Sequence, residues 1–385
     1  MAFTSIRLRN LLSFRELELE LRPLNVLIGP NASGKSNLID VIGLLRAAPD
    51  DFRRAVARGG LPQDWFWKGK GKLDSAEIDV VLDKPRRLAY HLALEPAGES
   101  SFEIVSESLL PIEPGESGPP GLFTRRLSEL TIHSLAEPGG RPTEKTERVS
   151  PQQSALEMLG SPLVAEEPAA VARQFRSIRI YRDWDTSRDS PIRQGISAAE
   201  PGEWLAEDGS NLALVLSRIQ PTEEGDRIHG YLESLHEGFE KLFTIPERGA
   251  MFLRIRERNL GLIPATRLSD GTLRFLCLMA ALFDPDPPPS ICIEEPEIGL
   301  HPDALQLVAE ALQEASKRTQ IILTTHSEAL VDALSADPES VLVCEKDLDN
   351  STRIQRLEAD RLARWLERYR LGELWRKGEI GGNRW

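Results

Sequence analysis

The 385-residue sequence has few of the features that mark secreted, membrane-embedded or disulfide-stabilised proteins. It has three cysteines, Cys277, Cys292 and Cys344, whose number and spacing fit neither a set of disulfides nor a metal-binding motif. The longest apolar run, residues 275–283, is far shorter than the roughly 20 residues of a membrane-spanning helix. The first ten residues lack the positive patch, apolar stretch and cleavage site that are typical of a secretion signal. We therefore expect a cytoplasmic protein with no membrane contact.

Positive charge is scarce as well, since 47 Lys and Arg stand against 60 Asp and Glu, for a formal net charge of −13 at pH 7. Such a surface repels nucleic acid on average, so contact with DNA would need a local basic patch. The hydrophobic content of 41% is ordinary for a globular chain and is enough for a large core. The sequence has neither an internal repeat nor sustained heptads, which excludes a long coiled-coil arm.

Hydrophobic patterns divide the chain into three parts. Residues 1–150 begin with strand patterns and a glycine loop, and from residue 75 they alternate between apolar and polar positions, which predicts an antiparallel β subdomain. Residues 151–264, with stretches such as "IHGYLESLHEGFEKLF", predict a helical lobe. In residues 265–385 strand and helix patterns alternate again. The two outer parts therefore predict one α/β layer with a mixed or parallel core sheet.

The stretch "GPNASGKSN" matches the phosphate-binding pattern G-x-x-x-x-G-K-[ST], and it lies between a predicted strand and a predicted helix, as the motif requires. Its glycines let backbone N–H groups point at phosphates, and the start of the helix adds partial positive charge. We expect Lys35 to reach the β and γ phosphates of ATP and Ser36 to offer its hydroxyl to Mg²⁺. The expected nucleotide-binding residues are Gly29, Pro30, Asn31, Ala32, Ser33, Gly34, Lys35, Ser36 and Asn37.

Two glutamates follow the short apolar segment "ICI" in "PPPSICIEEPEIGLHP". Such a segment predicts a buried strand, and ligands bind at the carboxyl edge of parallel sheets. We expect Glu294 to hold Mg²⁺ and Glu295 to polarise the water that attacks the γ-phosphate. Without a phosphate loop in the same chain, the solvated start of a loop would explain this pair better.

The stretch "TQIILTTHSEAL" predicts a further buried strand with His326 at its end. A lone histidine is more often structural than catalytic. At the edge that already collects the glutamates, however, His326 is placed to hydrogen-bond to the γ-phosphate or to the attacking water.

The turn "LSDGT", residues 268–272, precedes a helical pattern and resembles the signature turn of ABC-type ATPases. Taken alone, an ordinary helix N-cap would explain it. The order and spacing of phosphate loop, turn, glutamate pair and histidine match the superfamily over the whole chain. Within it, "LSDGTLRF", "IEEPEIGLHP" and "TTHSEALVDAL" look like the short ATPases of the RecF/SMC/OLD branch.

This resemblance implies a fold, an activity and an assembly. The fold is an α/β ABC-type P-loop ATPase head, and the activity is hydrolysis of ATP with Mg²⁺. In that superfamily the signature turn contacts the nucleotide of the partner subunit, so the resemblance implies a head-to-tail homodimer in which Ser269 and Gly271 complete the partner's site. ATP would favour the closed dimer, and hydrolysis would release it.

The sequence departs from the branch at three positions. Glu294 stands where most relatives have aspartate, and His301 takes the place of the D-loop aspartate. Asp270 replaces a common signature glycine and brings a negative charge beside the expected γ-phosphate contact. The resemblance also implies a Q-loop glutamine that helps to hold Mg²⁺, for which "SPQQSAL" offers Gln153 and its neighbour Gln152.

Relatives with the OLD architecture add a nuclease domain that binds metal through clustered acids. The stretch "CEKDLDN" contains Glu345, Asp347 and Asp349, but only 36 residues follow Asp349. We interpret these acids as the charged end of a strand and turn, and we expect no intrinsic nuclease.

Two stretches mix basic and aromatic residues and are candidates for contact with DNA. The first is "DWFWKGKGK", which contains Trp65, Phe66, Trp67, Lys68, Lys70 and Lys72. The second, residues 359–385, also fits a helix that docks on the ATPase core. The stripe of that helix is Leu362, Trp365, Leu366 and Tyr369.

We therefore expect an ATP-gated dimer that serves DNA repair and maintenance or antiviral defence by controlling a separately encoded effector protein. Two other functions stay open. An ATPase subunit of a membrane transporter fits the N-terminal pattern poorly, and a P-loop kinase for a small molecule would leave the signature turn and His326 without a role.

Overall fold

The computed structural model describes residues 3–69, 75–98, 100–112, 122–134, 143–160 and 166–382. The chain forms two compact units. Unit 1 comprises Met1–Ile178, Leu342–Arg356 and Gly381–Arg384, and unit 2 comprises Arg179–Val341 and Leu357–Ile380.

The helices and strands follow one another in a β-rich first half and a mixed second half. The first half contains β1 (Ser5–Leu11), β2 (Phe14–Glu20), β3 (Leu24–Ile28), α1 (Lys35–Ala47), α2 (Phe52–Arg58), β4 (Ala76–Leu82), β5 (Leu88–Pro96), β6 (Phe102–Pro111), β7 (Phe123–Arg126), β8 (Glu129–Ser134), β9 (Thr143–Arg148), α3 (Ala155–Leu159) and α4 (Glu166–Arg176). The second half contains β10 (Arg179–Tyr181), β11 (Ile196–Ser197), α5 (Leu212–Ile219), α6 (Glu223–Leu235), β12 (Phe239–Glu247), β13 (Ala250–Glu257), β14 (Gly261–Pro264), α7 (Asp270–Leu282), β15 (Ser290–Glu294), α8 (Ala304–Ala315), β16 (Gln320–Thr324), α9 (Glu328–Ala333), β17 (Val341–Lys346), β18 (Thr352–Arg356), α10 (Ala359–Leu366) and α11 (Leu371–Arg376).

Unit 1 is built on an antiparallel sheet that, in the described part of the chain, runs in the order β2-β1-β4-β5-β6-β7-β8-β9. Buried and less buried side chains alternate along β4, as expected of a strand with one face on a core. The antiparallel β subdomain predicted from the sequence is confirmed. It extends further than its pattern indicated, because β1 and β2 belong to the same sheet.

A second part of unit 1 carries the glycine loop. All five residues of β3 are buried, as predicted for this apolar run, and β3 leads through the loop into α1. Strand β3 lies beside β17, which forms an antiparallel hairpin with β18. The strand, loop and helix order predicted from the sequence is therefore present.

Unit 2 contains three parallel strands in the order β10-β15-β16. The first four residues of β15 and all five of β16 are buried, which is typical of parallel strands covered on both faces. Helix α7 packs against α5 and α8. The carboxyl ends of β15 and β16 lie side by side, since Glu294 is paired with Thr324.

The segment predicted as a helical lobe contains α3, α4, α5 and α6, but it also contains strands. Strands β11, β13 and β12 form a small antiparallel sheet, and β14 pairs with β13. The stretch "FEKLF" was part of the helical prediction, yet it starts β12 after α6 has ended at Leu235. These residues pair with β13 in a hairpin, and this pairing outweighs a weak helical pattern.

None of the helices in the described part of the chain combines the length and the apolar character needed to cross a bilayer.

Candidate functional site

The phosphate loop has the backbone conformation that its motif requires. Gly29, Ala32 and Gly34 all have positive φ, at 148°, 62° and 103°. This conformation turns successive N–H groups toward the inside of the loop and forms a concave site for anions. Alanine seldom adopts such a φ, so the backbone of Ala32 is held by the loop around it.

Both motif glycines are also required by close packing. A Cβ on Gly29 would lie 2.2 Å from the carbonyl oxygen of Cys344 on β17, and a Cβ on Gly34 would lie 2.2 Å from Oγ1 of Thr352 on β18. Any side chain at either position would displace the loop or the β17–β18 hairpin. The spacing of these glycines therefore reflects the fit of the loop on its own unit as well as its affinity for phosphate.

The backbone of the phosphate loop holds the side chain of Lys35. Only 6% of the residue is exposed, and its Nζ donates hydrogen bonds to the carbonyl oxygens of Gly29 at 2.8 Å and Pro30 at 3.0 Å. The ammonium group is thus already inside the loop. Ser36, in the first turn of α1, is exposed, and Asn37 donates to Ser13 Oγ at 2.7 Å.

A fully buried threonine that no motif identified supports the loop from below. Oγ1 of Thr352 lies 2.7 Å from both the carbonyl oxygen of Ser33 and Oγ of Ser13, and it accepts a hydrogen bond from Lys346 Nζ at 2.9 Å. Burial lowers the pKa of the Lys346 amine. Sequence reasoning missed this residue because Thr352 and Ser33 are 319 positions apart.

The buried hydroxyl of Ser33 indicates whether the loop fits a phosphate. It is 1% exposed, and among the residues that the structure describes its hydroxyl has no hydrogen-bond partner. A buried hydroxyl without a partner is unfavourable unless a ligand supplies one. A phosphate oxygen would do so, and the exposed hydroxyl of Ser36 is the kind of oxygen ligand that Mg²⁺ prefers. The residues present therefore fit a magnesium-bound nucleotide.

A cavity of about 860 Å³ in unit 1 opens beside the first turn of α1. Ser13, Asn37, Arg15, Trp67, Lys68 and Asp349 are among its lining residues. The guanidinium of Arg15 lies 5.8 Å from the centre of the Trp67 ring and 3.3 Å from the carboxylate of Asp349. The cavity has the size of a small-molecule pocket and combines an aromatic face with polar groups.

In unit 2 the predicted carboxylates lie where the parallel strands end. Glu294 is the last residue of β15 and its Oε1 lies 3.0 Å from Nη1 of Arg182. Glu295 has a φ of 48°, which is uncommon for any residue except glycine and turns the chain sharply at the end of the strand. Its Oε1 lies 3.8 Å from Nε2 of His326, and about a third of each side chain is exposed. The structure thus brings the predicted base and histidine together.

Glu297, which the motif analysis did not single out, holds the segment that carries His326. One of its carboxylate oxygens accepts hydrogen bonds from Thr325 Oγ1 and from the backbone N–H of His326, both at 2.7 Å. Thr325 is fully buried, so Glu297 fixes both residues that follow β16. This contact fixes the backbone at His326, whose side chain lies near Glu295.

The signature turn begins α7 as a capped helix. Ser269 is the N-cap, and its Oγ accepts a hydrogen bond from the N–H of Thr272 at 3.0 Å and lies 2.7 Å from the hydroxyl of Thr272. The simple capping explanation is therefore true of this chain. Gly271 leaves space for the carbonyl oxygen of Gly299, which would lie 2.9 Å from a Cβ.

The comparisons with known proteins match this geometry. The protein family described as "AAA domain, putative AbiEii toxin, Type IV TA system" matches residues 24–129 and 180–332, which is more than half of the chain. The chain belongs to this family. The matched residues include the phosphate loop, the signature turn, the glutamate pair and His326.

Solved structures show the same fold as this AAA-domain family member. An SMC head bound to the C-winged helix domain of ScpA is 13% identical, covers 94% of this chain and 99% of its own, and gives a TM-score of 0.55. The Smc head from Pyrococcus furiosus, bound to the C-terminal domain of ScpA, is also 13% identical, covers 95% and 98%, and gives 0.51. The fold is therefore that of an SMC-like P-loop ATPase head of the α/β class.

A relative in Escherichia coli strain K12, "Uncharacterized protein YbjD", is 25% identical over 359 residues. The match includes 86% of this chain and 59% of that protein. The chain therefore spans little more than half the length of this relative.

The Q-loop candidates of this AAA-domain protein, Gln153 and Gln152, hydrogen-bond to other residues of unit 1. The amide of Gln153 donates to Glu157 at 2.9 Å, and that of Gln152 donates to Ser101 at 2.6 Å. The pKa of Glu157 is raised, first by burial and then by Asp51 and Asp50, which follow the C-terminal end of α1. Gln153 remains only a prediction as a magnesium ligand.

The acids of "CEKDLDN" form a strand end and a turn, as predicted. Glu345 is in β17, and the carboxylate of Asp347 accepts hydrogen bonds from the N–H groups of Asp349 and Ser351, both at 2.9 Å. These hydrogen bonds, with that of Ser351 the strongest, lower the pKa of Asp347. The carboxylate therefore stabilises the turn between β17 and β18.

The two stretches expected to contact DNA differ in how far their side chains are exposed. Trp65 and Phe66 are buried, Trp67 is half-buried and Lys68 is exposed, whereas Lys70 and Lys72 lie outside the described residues. In α10, Leu362 is buried, while 44% of Trp365 is exposed. The predicted stripe is completed by two half-buried residues, Leu366 and Tyr369.

Proposed function

We propose that this chain binds ATP at residues 29–37 and hydrolyses it as part of a head-to-tail dimer. The observation that carries the nucleotide site is the phosphate loop itself, which is fully formed, contains Lys35 and leaves the buried hydroxyl of Ser33 without a partner among the described residues. Such a site needs little rearrangement to accept a phosphate chain.

Each side chain has a distinct role in this proposal. Lys35 neutralises charge on the β and γ phosphates, and Mg²⁺, which Ser36 and Glu294 would hold, shields the remaining charge when bound. Glu295 accepts the proton of the attacking water. His326 lies 3.8 Å from Glu295 and donates a hydrogen bond to the γ-phosphate or to that water.

The nucleoside is proposed to occupy the cavity beside Asn37. Trp67 offers an aromatic face for the base, and Arg15 and Asp349 offer polar contacts. Trp67→Ala should then weaken binding of a fluorescent ATP analogue about fivefold or more, since aromatic stacking contributes roughly 1–3 kcal/mol per base. Binding of inorganic triphosphate should stay unchanged, and equal losses for both ligands would contradict the assignment.

The dimer follows from the signature turn. The proposal gives Ser269 and Gly271 to the ATP bound by a second copy, so that ATP joins the two copies and hydrolysis separates them. The cap on α7 is compatible with this role, because a capped helix start still presents N–H groups to an anion.

The biological role proposed is ATP-dependent control of a separate effector in DNA repair or antiviral defence, in the cytoplasm. Two comparisons support it. The family description names a type IV toxin–antitoxin system, and both similar SMC heads are bound to a domain of ScpA.

A mixing experiment tests the shared site. Lys35→Ala subunits and Ser269→Arg subunits should each be nearly inactive alone, whereas their mixture should recover ATP hydrolysis through one intact composite site per heterodimer. Absence of recovery, with hydrolysis persisting in a strictly monomeric wild-type protein, would overturn the dimer. Proteins captured by a Glu295→Gln variant in ATP would identify the effector.

A further inference from the structure

One buried arginine in unit 2 has no place in any of the motifs. Arg193 ends the short 3-10 turn Pro191–Arg193, between β10 and β11, and only 6% of it is exposed. A guanidinium carries five N–H donors and keeps its charge in proteins, so burial is favourable only if these donors find partners.

Its first contacts fix the side chain to its own segment. Nε of Arg193 donates to the carbonyl oxygens of Thr186 at 2.9 Å and Ser187 at 3.1 Å. The guanidinium is therefore held by two carbonyl oxygens of its own segment.

Its remaining contacts reach the signature turn. Nη1 donates to the carbonyl oxygens of Ala265 at 3.0 Å and Leu268 at 2.7 Å, and Nη2 donates to the carboxylate of Asp270. Leu268 and Asp270 are the two residues that flank Ser269. One side chain thus holds the turn on both sides of its serine.

The contact between Arg193 and Asp270 also neutralises a negative charge beside Ser269. The Asp270 side chain is 66% exposed and directly follows Ser269, so without a partner it would repel the phosphates of an incoming nucleotide. The Arg193 side chain is 5% exposed, which reduces solvent screening of the pair. A planar fork that binds a carboxylate and a backbone carbonyl together is a property of arginine that lysine lacks.

We propose that Arg193 is the positioning residue of the signature turn. It fixes the backbone of Leu268 and neutralises Asp270, so that Ser269 and Gly271 can bind the γ-phosphate of ATP bound to a second copy. This inference rests on the proposed ATP-dependent dimer.

The test measures dimerisation by sedimentation in ATP, in the Glu295→Gln background that prevents hydrolysis. Arg193→Met should weaken the dimer roughly tenfold to hundredfold, because contacts to a charged group are lost and Asp270 is left unpaired. Binding of a fluorescent ATP analogue to the monomer should not change. Arg188→Met, an exposed arginine in the same segment, is the matched control.

A second substitution separates positioning from mere support of the fold. Adding Asp270→Asn to Arg193→Met removes the unpaired charge and should restore several-fold of the lost dimerisation. If Arg193→Met does not fold, Arg193→Lys replaces it, since a single ammonium cannot bridge Leu268 and Asp270, and the same partial rescue is expected. A folded Arg193 variant that dimerises like the parent, or shows no rescue, overturns the proposal.

Ser269→Arg in the same background distinguishes failure of the role proposed for Arg193 from failure of the proposed function. If it abolishes dimerisation while the Arg193 variants do not affect it, only the role of Arg193 is wrong. If Ser269→Arg leaves dimerisation intact, the proposed function itself is wrong.

Discussion

The phosphate loop and the signature turn are both polar turns at the start of a helix, yet they are built differently. In the loop, two polar side chains are buried: Lys35 is 6% exposed and Ser33 is 1% exposed. In the turn, Ser269 is hydrogen-bonded to Thr272 of its own helix and Asp270 is exposed to solvent. The loop therefore encloses its own cation, whereas the turn is an open surface on which Asp270 is paired with Arg193.

This difference indicates how each element takes part in binding. The loop carries its own cation and is supported within unit 1 by Thr352, so it is complete without a partner. The turn has no lysine, and the guanidinium beside it is already paired with Asp270. We therefore expect the turn to bind phosphate weakly by itself and to contribute only when a second surface presents the ligand.

The largest expected effect separates ATP hydrolysis from ATP binding. Glu295→Gln should lower the rate of ATP hydrolysis roughly 100- to 10,000-fold, since general bases contribute about that much, while ATP affinity is kept. Glu310→Gln, on the exposed side of α8, is the control. Phosphate release at the parental rate in Glu295→Gln would show that another group is the base.

The next effect concerns the cation of the enclosed loop. Lys35→Ala should weaken ATP binding roughly 10- to 100-fold, because hydrogen bonds to charged groups contribute about 1.5–3 kcal/mol each. Titration with a fluorescent ATP analogue measures it. Unchanged affinity would mean that the loop does not use its buried ammonium and that the comparison between loop and turn is wrong.

A smaller effect tests whether the loop depends on its support. Thr352→Val removes the hydroxyl that Ser33, Ser13 and Lys346 contact, and we expect loss of about 1–3 kcal/mol of unfolding free energy and a severalfold lower ATP affinity. Chemical denaturation and nucleotide titration report the two changes. Thr146→Val, on the exposed face of β9, should alter neither.

The smallest effect concerns the open turn. Ser269→Ala should cost about 1 kcal/mol of stability through the lost cap, with ATP affinity of the monomer unchanged. Ser269→Asp keeps a capping side chain but adds a negative charge, so it should restore stability and still prevent the ATP-dependent dimer. A stable Ser269→Asp protein that dimerises in ATP would reduce the turn to a helix cap.

Sequence reasoning succeeded where the information is local. The positions of β3, β15 and β16, the helix after the phosphate loop and the glutamate pair at a strand end follow from short runs of apolar residues and nearby polar ones. It was wrong for "FEKLF", because the hairpin with β13 decides that conformation. It was also silent on Glu297 and Thr352, whose roles depend on partners that are distant in the chain.

The sequence alone determined that this protein has a phosphate loop, a glutamate pair, a histidine and a signature-like turn, since each is encoded within a few consecutive residues. Only the tertiary structure decided how these elements are held: Thr352 beneath Ser33, Glu297 behind His326 and Arg193 against Asp270. The physical reason is that buried polar and charged groups must find hydrogen-bond partners, and folding supplies those partners from any part of the chain.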